Sequence, residues 1–104
     1  MPVNLTTKTI DLLTGEGWAC ERVESANHRV KFDPFGFDLM AVRPGRTMGV
    51  QVTSASHASN RRAKLQSNPK TRAWLDAGNE AMLLTWWKRG NSKKWVIHKR
   101  EVIR

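Results

Sequence analysis

The sequence predicts an α/β domain: one sheet with one or two covering helices. Three observations carry this. The chain has 104 residues, which is one domain (1–104) by size and allows only a modest core. Its centre, 32-FDPFGFDLMAVRPGRTMGVQVTSAS-56, reads as two apolar runs around a Pro-Gly turn. Helix signals lie on both sides of that hairpin, and the element order reads α-β-β-β-α-β with a possible extra strand.

Taken in order, residues 6–14 (TTKTIDLLT) suit a short helix capped by Thr6 or Thr7, with Ile10 and Leu13 one turn apart. Gly15 and Gly17 end it. Residues 18–24 fit a strand, and 25–34 end in Asp-Pro, a loop signal. Phe37–Val42 and Met48–Ser54 form the hairpin, where Pro44 presets its φ and Gly45 tolerates a positive one. Residues 57–66 look helical. Asn68 and Pro69 then break the pattern and restart a helix as its cap and first residue, and Gly78 closes it. Residues 81–87 are a strong strand candidate. GNS at 90–92 turns the chain, and Trp95–His98 pairs back. The tail at 99–104 is basic and of undecided state.

Composition narrows the partners. Lys and Arg number 18 against 9 acids, a formal net charge of +9. Such a surface attracts polyanions, nucleic acid first among them. The longest apolar run, 81-AMLLTWW-87, is too short to span a bilayer. The lone Cys20 makes no internal disulfide, and MPVNLTTKTI has no apolar signal-peptide core, so a cytoplasmic location is expected.

Each arm of the hairpin carries one polar residue that a simple buried strand does not need. With Pro44 and Gly45 central, Arg43 faces Arg46. Stepping outward equally along both arms brings Asp38 opposite Gln51. Thr53, two residues on, shares that face, and Phe37, Leu39, Ala41, Val50 and Val52 take the other. An acid, an amide and a hydroxyl gathered this way suit a hard cation such as Mg²⁺ or Mn²⁺ beside a phosphodiester. A turn aspartate and a solvated glutamine explain the same spacing.

Arg61, Arg62 and Lys64 cluster on the next helix, with Lys70 and Arg72 soon after. They read as phosphate contacts along DNA, or as a solvated helix face. Lys88, Arg89, Lys93 and Lys94 flank the last turn. Trp86 and Trp87 point to opposite faces of their strand, one of them core. His57 is a candidate general base or a solvated loop residue.

These segments together resemble the PD-(D/E)XK nuclease superfamily, and within it the small Holliday junction resolvases of archaea and the resolvase-like proteins of phages. The likeness rests on 15-GEGWACERVES-25, 33-DPFGFDLMAV-42, 49-GVQVTSAS-56, 60-NRRAKL-65 and 78-GNEAMLLTWWK-88, and covers roughly residues 5 to 90. It implies a restriction-endonuclease-like core with a mixed sheet flanked by helices. It also implies a Mg²⁺-dependent DNA endonuclease acting as a homodimer. By that resemblance Asp38 is the central metal-binding acid, Gln51 takes the second acid's place, Thr53 the catalytic lysine's place, and the Val52 carbonyl completes the shell. Glu24 and Asp33 are further acids near the site.

The motif here is Q-x-T rather than E-x-K. Gln51 keeps a hard oxygen but loses a charge, and Thr53 cannot supply one. Lys64, early in the next helix, is the nearest substitute. The acid that resolvases carry near the start of their first helix has no clear match; Asn4 and Asp11 are poor stand-ins. Two rival expectations therefore accompany the nuclease: a catalytically inactive DNA-binding module on the same fold, and a phage-type protein-interaction factor.

Overall fold

The computed structural model describes residues 4–23, 25–26, 31–32, 34–88 and 94–104. Helix α1 (Leu5–Gly15) leads into strand β1 (Ala19–Arg22). Two short strands, β2 (Ser25–Ala26) and β3 (Lys31–Phe32), form a small ribbon of their own. A 3₁₀ turn (Pro34–Gly36) precedes β4 (Leu39–Arg43) and β5 (Arg46–Ser54). A second such turn (Ala55–His57) opens α2 (Ala58–Ser67), followed by α3 (Pro69–Asp76), β6 (Glu80–Lys88) and β7 (Trp95–Val102). The five-stranded sheet runs β1-β4-β5-β6-β7. It is mixed: β5 and β6 are parallel, and the other neighbours antiparallel. This is the α/β class expected, a mixed sheet with flanking helices.

The hairpin register is the one the turn dictates. Arg43 pairs with Arg46 and Leu39 with Val50, while Gly45 sits at φ 76°. That conformation is strained for a residue carrying a Cβ. On one face of the sheet α1 packs Leu13 against Leu39, Val50, Leu84 and Trp86, with Trp18 beside them. On the other, α2 and α3 bring Leu65, Trp74 and Leu75 over Phe37, Leu83 and Ile103.

Three expectations need correction. Asn4, rather than Thr6 or Thr7, caps α1: its side-chain oxygen accepts from the Thr7 N–H at 3.0 Å. Thr6 lies inside the helix and is buried. Phe37 lies on the α2/α3 face, opposite Leu39 and Val50. Strand alternation begins only at Leu39; before it, Gly36 at φ 90° redirects the chain. The Phe37 ring then fills the space over Gly49, where an added Cβ would come within 2.2 Å of it. Finally, the basic tail continues β7 as far as Val102 instead of stopping at His98.

Asn68 and Pro69 open α3 as read: the Asn68 side chain accepts from the Lys70 N–H at 2.9 Å, with Pro69 in the first turn. Trp86 is core, and its indole N–H donates to the Thr9 hydroxyl at 2.9 Å. Trp87 is half-buried on the opposite face, with its ring 3.9 Å from that of His98. Among the described residues no helix is long and apolar enough to cross a membrane.

Candidate phosphodiester site

Asp38 precedes β4, and its backbone is fixed from both sides. Its N–H donates to Val50 O at 2.9 Å, and its carbonyl accepts from Val23 N–H at 3.1 Å. This places its side chain beside Gln51, as the hairpin register requires. Both side chains are buried, at 3% and 4% exposure. Gln51 Nε2 donates to Asp38 Oδ2 at 2.8 Å, and the Val52 N–H donates to the same oxygen at 2.8 Å. Gln51 Nε2 also lies 3.3 Å from the Val52 carbonyl oxygen. The amide group thus spans a carboxylate and a peptide carbonyl, the two oxygens expected to hold a cation.

Thr53 is buried on the same face of β5, but its hydroxyl donates to the Ser54 carbonyl at 3.4 Å. Among the described residues no hydrogen bond joins it to the Asp38–Gln51 pair. Glu24 and Asp33 lie outside the described residues, as do Arg89 and Lys93. No group of three or more His, Cys, Asp or Glu side chains gathers among the described residues. Among the described residues the donor set is therefore one carboxylate, one amide and the Val52 carbonyl. Its atoms are of the hard type that Mg²⁺ accepts. It carries a single negative charge, and a cation would need the Gln51 amide turned so that Oε1 faces it.

Lys64 and Arg61 stand over Gln51. They line an open cleft of about 240 Å³ together with Gly36, Gln51, Leu65 and Asn68. Lying three residues apart on α2, they share one side of that helix. A second cavity continues along α2 past His57, Asn60 and Ser67, with Arg61 and Lys64 between the two. His57 is the residue just before α2 and is exposed. It contacts this second space rather than the wall formed by Gln51.

The remaining basic residues divide. Arg62 is held in a two-pronged ion pair by Glu101 of β7, one prong spanning 2.8 Å, so its guanidinium ties helix to sheet. That partner lies 39 residues away in sequence. The pairing holds the Glu101 carboxyl below the usual carboxylate range, first through the Arg62 hydrogen bond. Arg72 pairs loosely with Asp76 at 3.7 Å on the exposed side of α3. Lys70 is exposed in the first turn of α3, and Lys88 lies 5.1 Å over the Trp95 ring. Cys20 is half-buried on β1, and burial raises its thiol pKa.

No protein-family model and no curated protein sequence matches this chain. Among solved structures it is similar to Hjc, a Holliday junction resolvase from the archaeal hyperthermophile Archaeoglobus fulgidus. The match has a TM-score of 0.57 and 17% identity, covering 90% of this chain and 73% of the archaeal one. At that identity the likeness establishes a shared fold.

Proposed function

We propose that this chain is a DNA endonuclease of the resolvase type, with its site on Asp38, Gln51 and the Val52 carbonyl. The observation that carries the reading is the buried Asp38–Gln51 pair, of which Gln51 lines a cleft together with Arg61 and Lys64. Asp38, the amide oxygen of Gln51 and the Val52 carbonyl would hold Mg²⁺ or Mn²⁺. When bound, the ion would polarise the phosphate and lower the pKa of an attacking water.

The chain's own residues do the rest. Arg61 draws the DNA backbone to the cleft by charge. The Lys64 ammonium supplies the positive charge that Thr53 lacks, on a stem long enough to follow the phosphate as charge builds on its oxygens. Among the described residues Thr53 makes a local bond within β5, to the Ser54 carbonyl. Lys70 and Arg72 extend the basic surface along α3, and Arg62 contributes by holding α2 in place.

The test is cleavage of labelled duplex, single-stranded and four-way-junction DNA in Mg²⁺ or Mn²⁺, with Lys64→Met beside the unmodified chain. Cleavage is expected to fall about 100-fold in the variant, while DNA affinity changes only a few-fold. Equal cleavage by both proteins would remove Lys64 from the reaction.

One observation favours a second reading. Gln51 Nε2 already satisfies Asp38 Oδ2 and approaches the Val52 carbonyl, doing with hydrogen bonds what a cation would do with charge. On that reading the protein is a DNA-binding module. Salt-sensitive binding with no cleavage in any metal would single it out.

A further inference from the structure

We propose that Phe35 is a stacking platform for an unpaired base next to the phosphate held in the cleft. This rests on the nucleic-acid reading above and names the form of DNA the site prefers. Phe35 is the one non-glycine residue with positive φ among the described residues, at φ 55° and ψ 15°. A phenylalanine adopts this left-handed conformation only under constraint from its surroundings. The constraint is visible. Thr71, 1% exposed, donates its hydroxyl to the Phe35 carbonyl at 2.6 Å. Gly36 follows at φ 90°, where an added Cβ would meet Thr71 at 3.0 Å and Asn68 and Leu65 at 3.2 Å. Two consecutive left-handed residues turn the Phe35 carbonyl inward and leave its ring outside.

The ring is 41% exposed, although core space for aromatics is at hand: Phe37, two residues on, is wholly buried. It leans on Trp74, with centroids 5.4 Å apart and planes at 42°, which fixes its direction without covering it. The neighbouring Gly36 forms the cleft wall shared with Gln51, Arg61 and Lys64. An exposed aromatic face thus belongs to the residue next to the cleft-lining Gly36, three residues before Asp38. Cations for a phosphate beside a π-face for a base are the two parts of a single-strand contact. Paired bases within a duplex are already stacked, so the ring discriminates by strand structure rather than by sequence.

The experiment compares DNA affinity by fluorescence anisotropy for an intact duplex and for the same duplex carrying a short single-stranded gap. The unmodified chain is set beside Phe35→Asn, which tolerates the left-handed backbone, and Phe35→Trp, which keeps the π-face; thermal melting verifies that each is folded. Phe35→Asn should lose about tenfold in affinity for the gapped DNA and less than about twofold for the duplex, with Phe35→Trp close to the unmodified chain. Unchanged affinity of Phe35→Asn for gapped DNA would overturn the assignment and leave the ring as a cover for Trp74. Equal losses on both DNAs would overturn it too. Failure of the unmodified chain to bind either DNA would instead overturn the nucleic-acid reading, and this assignment with it.

Discussion

Gln51 Nε2 donates to Asp38 Oδ2 across 2.8 Å, with both side chains buried beneath the cleft. A cation site in this position would set a second oxygen ligand opposite this acid. Here an amide closes the gap directly. Replacing Gln51 by Glu removes that donor and sets two carboxylates against each other. Gln51→Glu is expected to cost about 1.5–3 kcal/mol of stability in chelator. Mn²⁺ should return much of it, because the new carboxylate completes a cation site. Thermal melting with and without Mn²⁺ checks this, and a variant melting like the unmodified chain in chelator would argue against the pair.

Gly49 is small because Phe37 lies on it. A Cβ there would stand 2.2 Å from the ring, which is wedged against Trp74 at 5.5 Å. Gly49→Ala is expected to destabilise the fold by about 1–3 kcal/mol through overpacking. Denaturant unfolding would show a lower midpoint with an unchanged slope.

Trp86 places its indole N–H in the α1 side of the core, where the Thr9 hydroxyl accepts it at 2.9 Å. Thr9→Val keeps the shape and removes the acceptor. The stranded buried donor should cost about 1–3 kcal/mol, visible as a lower melting temperature with native-like far-UV circular dichroism.

Three carboxyls, Glu16, Glu80 and Glu101, are held below their ordinary value of 4.5, in each case first by a hydrogen bond from an arginine: Arg100, Arg46 and Arg62. A depressed folded pKa contributes stability that is present above the unfolded value and lost as pH falls through the folded one. Melting temperature should therefore decline as pH drops below about 4.5, and by less in high salt, since the Glu16 and Glu80 pairs are well exposed. Glu101→Gln should flatten the decline more than a change at either of the others, because its pair is the most sheltered. A decline of undiminished slope in that variant would contradict the assignment.

The hairpin was legible because Pro44-Gly45 centres it, and a fixed centre sets every pair outward to Asp38 and Gln51. Phe37 was misplaced because alternation holds inside a strand and fails across the Gly36 turn just before it. The continuation of β7 to Val102 was hidden because an exposed edge strand is polar. Its Arg100 and Glu101 find partners in Glu16 and Arg62, far away in sequence. The pairing of Arg62 was hidden for the same reason: a local cluster of cations does not reveal which one the fold joins to a distant acid. Phe35 had a weak signal, an aromatic directly before Gly36, but its positive φ depends on Thr71 and was not readable locally.

The most direct test of the account is metal-dependent cleavage of four-way-junction and duplex DNA by the unmodified chain beside Asp38→Asn. The account predicts cutting in Mg²⁺ or Mn²⁺, none in chelator, and loss in Asp38→Asn by at least about 100-fold with DNA binding retained. DNA bound by both proteins and cut by neither in any metal would contradict the nuclease and leave the fold as a binding module.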